Sequence, residues 1–336
     1  MTPRTAFLFP GQGAYLPGIL TRIAPEVPEV AALLAEIDEA AEADPQSGVA
    51  FLLTDTGAPA LDVLVEHDPL RLDLALFAGA LATYHVIRAT GVRPDVLAGH
   101  SFGELAALTA CGALTVQDAT RFIVTRDSAF RKAAPPAGGM LAMPLDGRRT
   151  AHLVGLLDDP ALALAVENGP DDCVVSGPAD ALARAARLAR ALGVDSVEVP
   201  AAYPFHNPVL RDVADELARR TAEWTVTEPR TPVFSSALGR SITTESDVRL
   251  LAAFHLVRPV RFYDGLRRLH QDGVRAFVES GPRTLLTRLA KAALPPGVTT
   301  VAPMDRRRTP AEVAESLQGA ALPARWPAAE AVGLAS

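Results

Sequence analysis

Covalent cross-links are nearly absent from this chain. Its 336 residues include two cysteines, Cys111 and Cys173. They stand far apart, with no CxxC or metal-ligand spacing, so neither a disulfide framework nor a metal site is expected. Long basic runs are also missing. Lys and Arg number 32 against 39 Asp and Glu, a net charge of −7, which speaks against nucleic acid as a partner. No uninterrupted apolar run reaches the roughly 18 residues of a membrane span, and Met1-Thr2-Pro3-Arg4 does not open a secretory leader. A cytoplasmic protein with no membrane partner is expected. No internal repeat is visible, and no resident cofactor is implied. A dinucleotide fingerprint begun by Gly11-Gln12-Gly13 would need glycine at position 16, where Leu16 stands.

What is present centres on Val96-Leu97-Ala98-Gly99-His100-Ser101-Phe102-Gly103-Glu104-Leu105. An apolar run enters Gly-His-Ser-Phe-Gly, and a helical pattern leaves it. That is a nucleophile elbow in the context the motif requires, strand, sharp turn, helix. The flanking glycines let strand and helix pass closely, and the serine takes a strained turn. Its hydroxyl then sits at a helix N-terminus, where free N–H groups favour developing negative charge. Ser101 is the candidate nucleophile.

At 336 residues, 49% of them hydrophobic, the chain can bury one large domain or two unequal ones. Thr5–Pro10 reads as a buried strand ending in Gly11-Gln12-Gly13, either an ordinary turn or one that brings the Gln12 N–H beside the serine. Residues 28–44 are helical in pattern, 45–68 mixed, and Leu70–Thr90 a long apolar helix. Helices follow from Ser101 to Cys111 and from Thr115 to Ala133, the second opened by a capping-box pattern at Thr115–Asp118. On pattern alone Arg126 is a solvated charge beside Asp127 more readily than an anion clamp. Pro135–Gly139 marks a boundary. Beyond it come strand 140–145, helix 150–157, strands 161–166 and 173–176 around a turn at Asn168-Gly169-Pro170, helix 179–192 and strand 196–199. That β-α-β-β-α-β order is a ferredoxin-like unit inserted in the larger domain. The fold class expected is α/β, with residues 1–134 and 200–322 forming the large part and 135–199 the insert. Pro200–Pro208 re-enters the large part and leads into a helix reaching Trp224. Strand 232–235, helices 246–257 and 263–271, strand 276–280, a helix from Thr284 and strand 299–302 follow. Residues 323–336 read as a loose tail.

A serine nucleophile needs a base. Of seven histidines, His85 and His255 lie among apolar residues, and His67, His152 and His270 in polar ones. His100 should point away around the turn. His206, fixed between Pro204-Phe205 and Pro208 at a loop-to-helix junction, is the candidate. No Asp or Glu stands out as a third member, so a backbone carbonyl is the expected orienting group.

Phe9-Pro10-Gly11-Gln12-Gly13, Gly99–Glu104, Arg126, Asn168-x-Pro170, Phe205-His206, Pro259–Phe262 and Glu279-Ser280-Gly281-Pro282 resemble, in order and spacing, a malonyl-CoA:acyl carrier protein transacylase or a polyketide synthase acyltransferase domain. The likeness covers about residues 4–305. It implies an α/β-hydrolase-like large subdomain with a ferredoxin-like small one, an acyl-CoA donor and an acyl carrier protein acceptor. It further implies a Ser101–His206 dyad, an oxyanion hole from the N–H groups of Gln12 and Phe102, and a main-chain carbonyl at His255 that orients the base. Arg126 matches an arginine that pairs with the carboxylate of malonyl-type groups, Asn168 a cleft position, and Phe205 a residue associated with malonyl. Asp73 stands where the family usually has glutamine, and an acid there would pair with Arg126 or repel a malonyl carboxylate. Malonyl transfer is the leading expectation. Transfer of another acyl group between carrier proteins, or an editing thioesterase of the same fold, are the alternatives. Arg283, Arg306, Arg307 and Arg308 are candidate contacts for an acidic carrier.

Overall fold

A computed structural model describes residues 3–43, 48–320 and 322–323. The first part of the chain supplies β1 (Arg4–Phe9), α1 (Pro28–Ala40), α2 (Val49–Thr54), α3 (Leu61–His67), α4 (Pro69–Ala89), β2 (Val96–Gly99), α5 (Gly103–Ala110) and α6 (Val116–Ala133). The insert is β3 (Gly138–Met143), α7 (Gly147–Leu157), β4 (Ala163–Gly169), β5 (Asp172–Pro178), α8 (Ala179–Ala191) and β6 (Val197–Val199). The return supplies α9 (Arg211–Thr221), β7 (Val233–Ser235), β8 (Arg240–Ile242), α10 (Glu245–Phe254), β9 (Val260–Arg261), α11 (Phe262–Gln271), β10 (Val274–Glu279), α12 (Leu285–Ala293), β11 (Thr299–Val301) and α13 (Pro310–Gln318).

The large sheet runs β11-β10-β1-β2-β7-β8 and is parallel except for β8, which pairs antiparallel with β7. Its central strands are buried on both faces, and their sequences are accordingly continuous apolar runs rather than alternating ones. Helix α4 lies against them, with Tyr84 in contact with Phe7 and Phe9. By length and composition α4 could cross a membrane, yet 83% of its apolar window is buried inside the protein. It is the core helix.

The small sheet runs β6-β3-β5-β4-β9. Its first four strands have the ferredoxin-like order, and the alternation along them separates two faces. Leu141, Met143 and Val175 pack under α7 and α8 in a core of their own, whereas Met140, Val166 and Val174 join the main core. The fifth strand was not expected. β9 comes from the large part of the chain and pairs parallel with β4 through Val166–Val260 and Glu167–Arg261.

Two expectations need correction. Only a single 3-10 turn, Pro208–Leu210, and then α9 follow His206, and α9 stops at Thr221. Helix α10 ends at Phe254 rather than Val257, and the N–H groups of Val257 and Arg258 turn back onto the Phe254 carbonyl. The stretch 45–68, read as mixed and partly loop, holds α2 and α3 on either side of a non-helical segment at 55–60. β8 and α13 were also missed, although α13 carries a capping box between Thr309 and Glu312 that is legible as Thr-x-x-Glu. Residues 324–336, most of the expected tail, lie outside the described residues.

Candidate active site

The elbow is built by close contact. A Cβ on Gly103 would lie 2.0 Å from the Phe9 carbonyl oxygen, and one on Gly99 would lie 2.3 Å from Glu104 backbone atoms. Only glycine lets α5 pass over the ends of β1 and β2. Ser101 takes φ of 53° between them, a left-handed conformation that costs free energy for a residue with a Cβ. The turn is held from below by Glu104. Its buried carboxylate accepts bonds from the Ser235 hydroxyl (3.0 Å) and the N–H groups of Ser236 (2.7 Å) and Ala237 (3.2 Å) at the end of β7. Burial pushes this carboxyl up to about 7, with those donors opposing the shift. Sequence reasoning missed Ser235 and Ser236, which no motif marks.

Ser101 Oγ lies 2.5 Å from His206 Nε2, and His206 Nδ1 lies 2.9 Å from the carbonyl oxygen of Arg258. A carbonyl can only accept, so Nδ1 carries the proton and Nε2 turns its lone pair to the serine. The orienting carbonyl expected at His255 is thus chiefly that of Arg258. Helix α10 ends early, and the turn after it delivers a carbonyl three residues further on; His255 adds only a weaker backbone pull on the ring. His206 is 3% exposed. Burial depresses its imidazole to about 4, against the opposing pull of the Arg258 carbonyl. Asn207, fully buried, fixes this corner. Its amide donates to the carbonyls of Ala161 and Ser176, both at 2.9 Å, while its oxygen accepts from Val209 N–H. No sequence signal beyond an Asn-Pro step pointed to it.

The Gln12 loop comes in from β1. A Cβ on Gly11 would lie 2.7 Å from the His100 carbonyl, and one on Gly281 would lie 2.4 Å from Pro10. Gly11 thus packs on the backbone of the elbow, and Gly281 on the ring of Pro10, around the serine. Among the described residues, the N–H groups of Gln12 and Phe102 enter no protein hydrogen bond. The Glu279-Ser280-Gly281-Pro282 motif is scaffolding for this loop. Ser280 N–H donates to Leu8, and the Glu279 carboxylate caps α12 through Leu286 and Thr287 N–H.

A cleft of about 220 Å³ opens from Ser101 and His206 between the subdomains, lined also by Gln12, Asn168, Phe205 and Arg288. Asn168 Oδ1 lies 2.8 Å from His100 Nε2, so His100 faces the small subdomain and not the serine hydroxyl. Arg126 is buried, contrary to the solvated charge its pattern suggested. It is 4% exposed, with Nη1 at 2.5 Å from Asp73 Oδ2 and its guanidinium against the rings of Phe102, Phe130 and Phe205. Three of the arginines considered for carrier contact are engaged elsewhere. Arg283 and Arg307 donate to the backbone carbonyls of Tyr15 and of Pro17 and Gly18, holding the Gly13–Gly18 loop, and Arg308 pairs with Asp305. Arg288, exposed on α12 at the cleft, was missed because nothing in a lone helix arginine marks it.

The acyl transferase domain family matches residues 6–321. The chain belongs to that family. It is 32% identical over 294 residues to the polyketide synthase GfsA of Streptomyces halstedii, covering 87% of this chain but 4% of that protein. With the malonyl CoA-acyl carrier protein transacylase of Bacillus subtilis it shares 29% identity, covering 86% of this chain and 90% of the relative. Among solved structures, the acyltransferase domain from the second module of the salinomycin polyketide synthase superposes with a TM-score of 0.82 at 29% identity, over 94% of this chain and 73% of the other. The malonyl CoA-acyl carrier protein transacylase from Coxiella burnetii gives 0.83 at 25%, over 95% and 98%. The large sheet with its inserted small sheet is the fold of these proteins.

Proposed function

We propose that this acyltransferase-family chain moves an acyl group from a thioester, as acyl-CoA or on a carrier, to the phosphopantetheine thiol of an acyl carrier protein, through an ester on Ser101. One observation carries the reading: Ser101 Oγ within 2.5 Å of an imidazole nitrogen whose partner nitrogen is locked on a backbone carbonyl. His206 Nε2 takes the Ser101 proton as Oγ attacks the thioester carbon. The oxyanion is received by the N–H groups of Gln12 and Phe102, together with the N-terminus of α5. Collapse breaks the C–S bond, and the departing thiolate takes the proton from His206. The acceptor thiol then gives its proton to the same nitrogen and attacks the ester, and Ser101 leaves as the hydroxyl. Asn168 and Phe205 line the path of the acyl group. Use of CoA and carrier thioesters supports a cytoplasmic location for the reaction.

The test is intact-mass spectrometry. Wild-type protein with an acyl-CoA should gain one acyl mass at Ser101 and lose it to added holo-carrier protein, and Ser101→Ala should do neither. Release of free acid at the same rate with and without carrier would instead make water the acceptor and the protein a thioesterase.

A further inference from the structure

The space adjoining the Ser101 cleft, which shares Gln12 and Phe205 with it, already holds a carboxylate. Arg126, beside Phe205 and Gln12, is the buried cation there, and Asp73 occupies its Nη1 at 2.5 Å, with both side chains about nine-tenths or more buried. A guanidinium does not give up its proton in proteins; burial raises the Asp73 carboxyl, the guanidinium at 2.5 Å opposes that shift, and the pair so formed leaves Arg126 no free charge to offer. The space beside the pair is about 10 Å³, room for one water at most and not for a carboxylate. Beyond the pair, Asp127 is held by Arg131, and Asp172 and exposed Arg288 complete the charged lining of this space and of the Ser101 cleft, so among the described residues neither lining offers a buried cation free for a carboxylate. A substrate carboxylate entering here would meet Asp73 as a like charge in a poorly solvated site, where such proximity is strongly unfavourable. The Nε of Arg126, buried and without a partner among the described residues, can still donate to a neutral oxygen. The remaining wall, Met140, Val166, Val174, Val199, Leu285 and Leu289, is apolar.

We infer that the acyl group this chain transfers carries no carboxylate, because Asp73 stands where the substrate's own carboxylate would have to pair with Arg126. The inference rests on the acyl-serine reading above and names its substrate class. Asp73 is a specificity-determining residue that excludes malonyl-type groups and lets Arg126 serve as a neutralised hydrogen-bond donor to a carbonyl or hydroxyl oxygen.

The experiment measures acylation of Ser101 by malonyl, acetyl and butanoyl groups, each offered as the CoA thioester and on holo-carrier protein, by stopped-time intact mass. Wild type should use acetyl or butanoyl with kcat/KM at least about tenfold above malonyl. Asp73→Gln should raise the malonyl value about tenfold or more while leaving the uncarboxylated donors ahead by less. Asp73→Asn, which keeps the size of the side chain, should shift the ratio in the same direction, and thermal melting would show whether either variant folds. The wild-type ratio decides even if neither does. Wild type that prefers malonyl overturns the inference and leaves acyl transfer intact. A malonyl rate that neither folded Asp73 variant improves also overturns it. Failure of every donor to acylate Ser101 removes the acyl-serine reading, and the inference with it.

Discussion

At the scale of the residue, His206 owes its working state to burial. In water an imidazole titrates near 6.5, and here desolvation brings it to about 4, so Nε2 is unprotonated and facing Ser101 throughout the neutral range. The rate of Ser101 acylation should therefore rise with an inflection near pH 4 and stay level up to pH 8. Stopped-flow acylation across that range would show it, and an inflection at 6.5 would mean that the ring is solvated. The linked stability has a definite sign. The folded value lies below the unfolded one, so the contribution is fully present above about 6.5 and is lost as pH falls through 4. Over that interval one such histidine is worth about 3 kcal/mol. His255, depressed by burial to about 3, acts in the same direction. The chain should unfold on mild acidification, well before its carboxylates are all protonated, as circular dichroism against pH would record.

At the scale of the element, the elbow is a strand-to-helix joint clamped from two sides. The glycines admit the Phe9 carbonyl above, and Glu104 ties the first turn of α5 to the end of β7 below. Glu104→Ala would strand two backbone N–H groups and a hydroxyl in the interior, at about 1–3 kcal/mol each before relaxation. A loss of at least about 2 kcal/mol in urea unfolding is expected, with a slower acylation step because Ser101 loses its support. Unchanged stability would mean that water reaches those donors. The pH linkage of Glu104 runs opposite to that of His206. Its folded value is raised, so its contribution is present below 4.5 and is lost as pH rises through about 7.

At the scale of the whole molecule, the cleft exists because two subdomains are joined across it. Asn207 bonds from the large part to Ala161 and Ser176, His100 to Asn168, and β9 lends a strand to the small sheet. The Ser101–His206 pair lies on one side of this seam and most of the apolar wall on the other. On the proposed function, a net charge of −7 would oppose the approach of a phosphopantetheine or CoA phosphate, and exposed Arg288 at the cleft would offset it locally. Arg288→Glu should raise KM for the thioester or carrier several-fold more than it lowers kcat, with a weaker salt dependence than wild type. Equal KM and salt slope in both proteins would place the phosphate elsewhere.

What the sequence determined by itself is whatever rests on short spacing and local sterics. Gly99-His100-Ser101-Phe102-Gly103 between an apolar run and a helical one can hardly fold otherwise, and the β-α-β-β-α-β alternation after Pro135 dictated the insert. His206 was legible because prolines hold both its flanks. Tertiary structure alone decided what depends on partners distant in the chain. The carbonyl on His206 Nδ1 comes from Arg258 because α10 unwinds before Pro259. Glu104 finds its donors at Ser235, Ser236 and Ala237, 131 to 133 residues on. Arg126, which in sequence is one charge beside another on a helix, became a buried ion pair only when α4 brought Asp73 against α6. Burial and charge pairing are properties of packed surfaces, and a helical period shows which face turns inward but not which residue waits there.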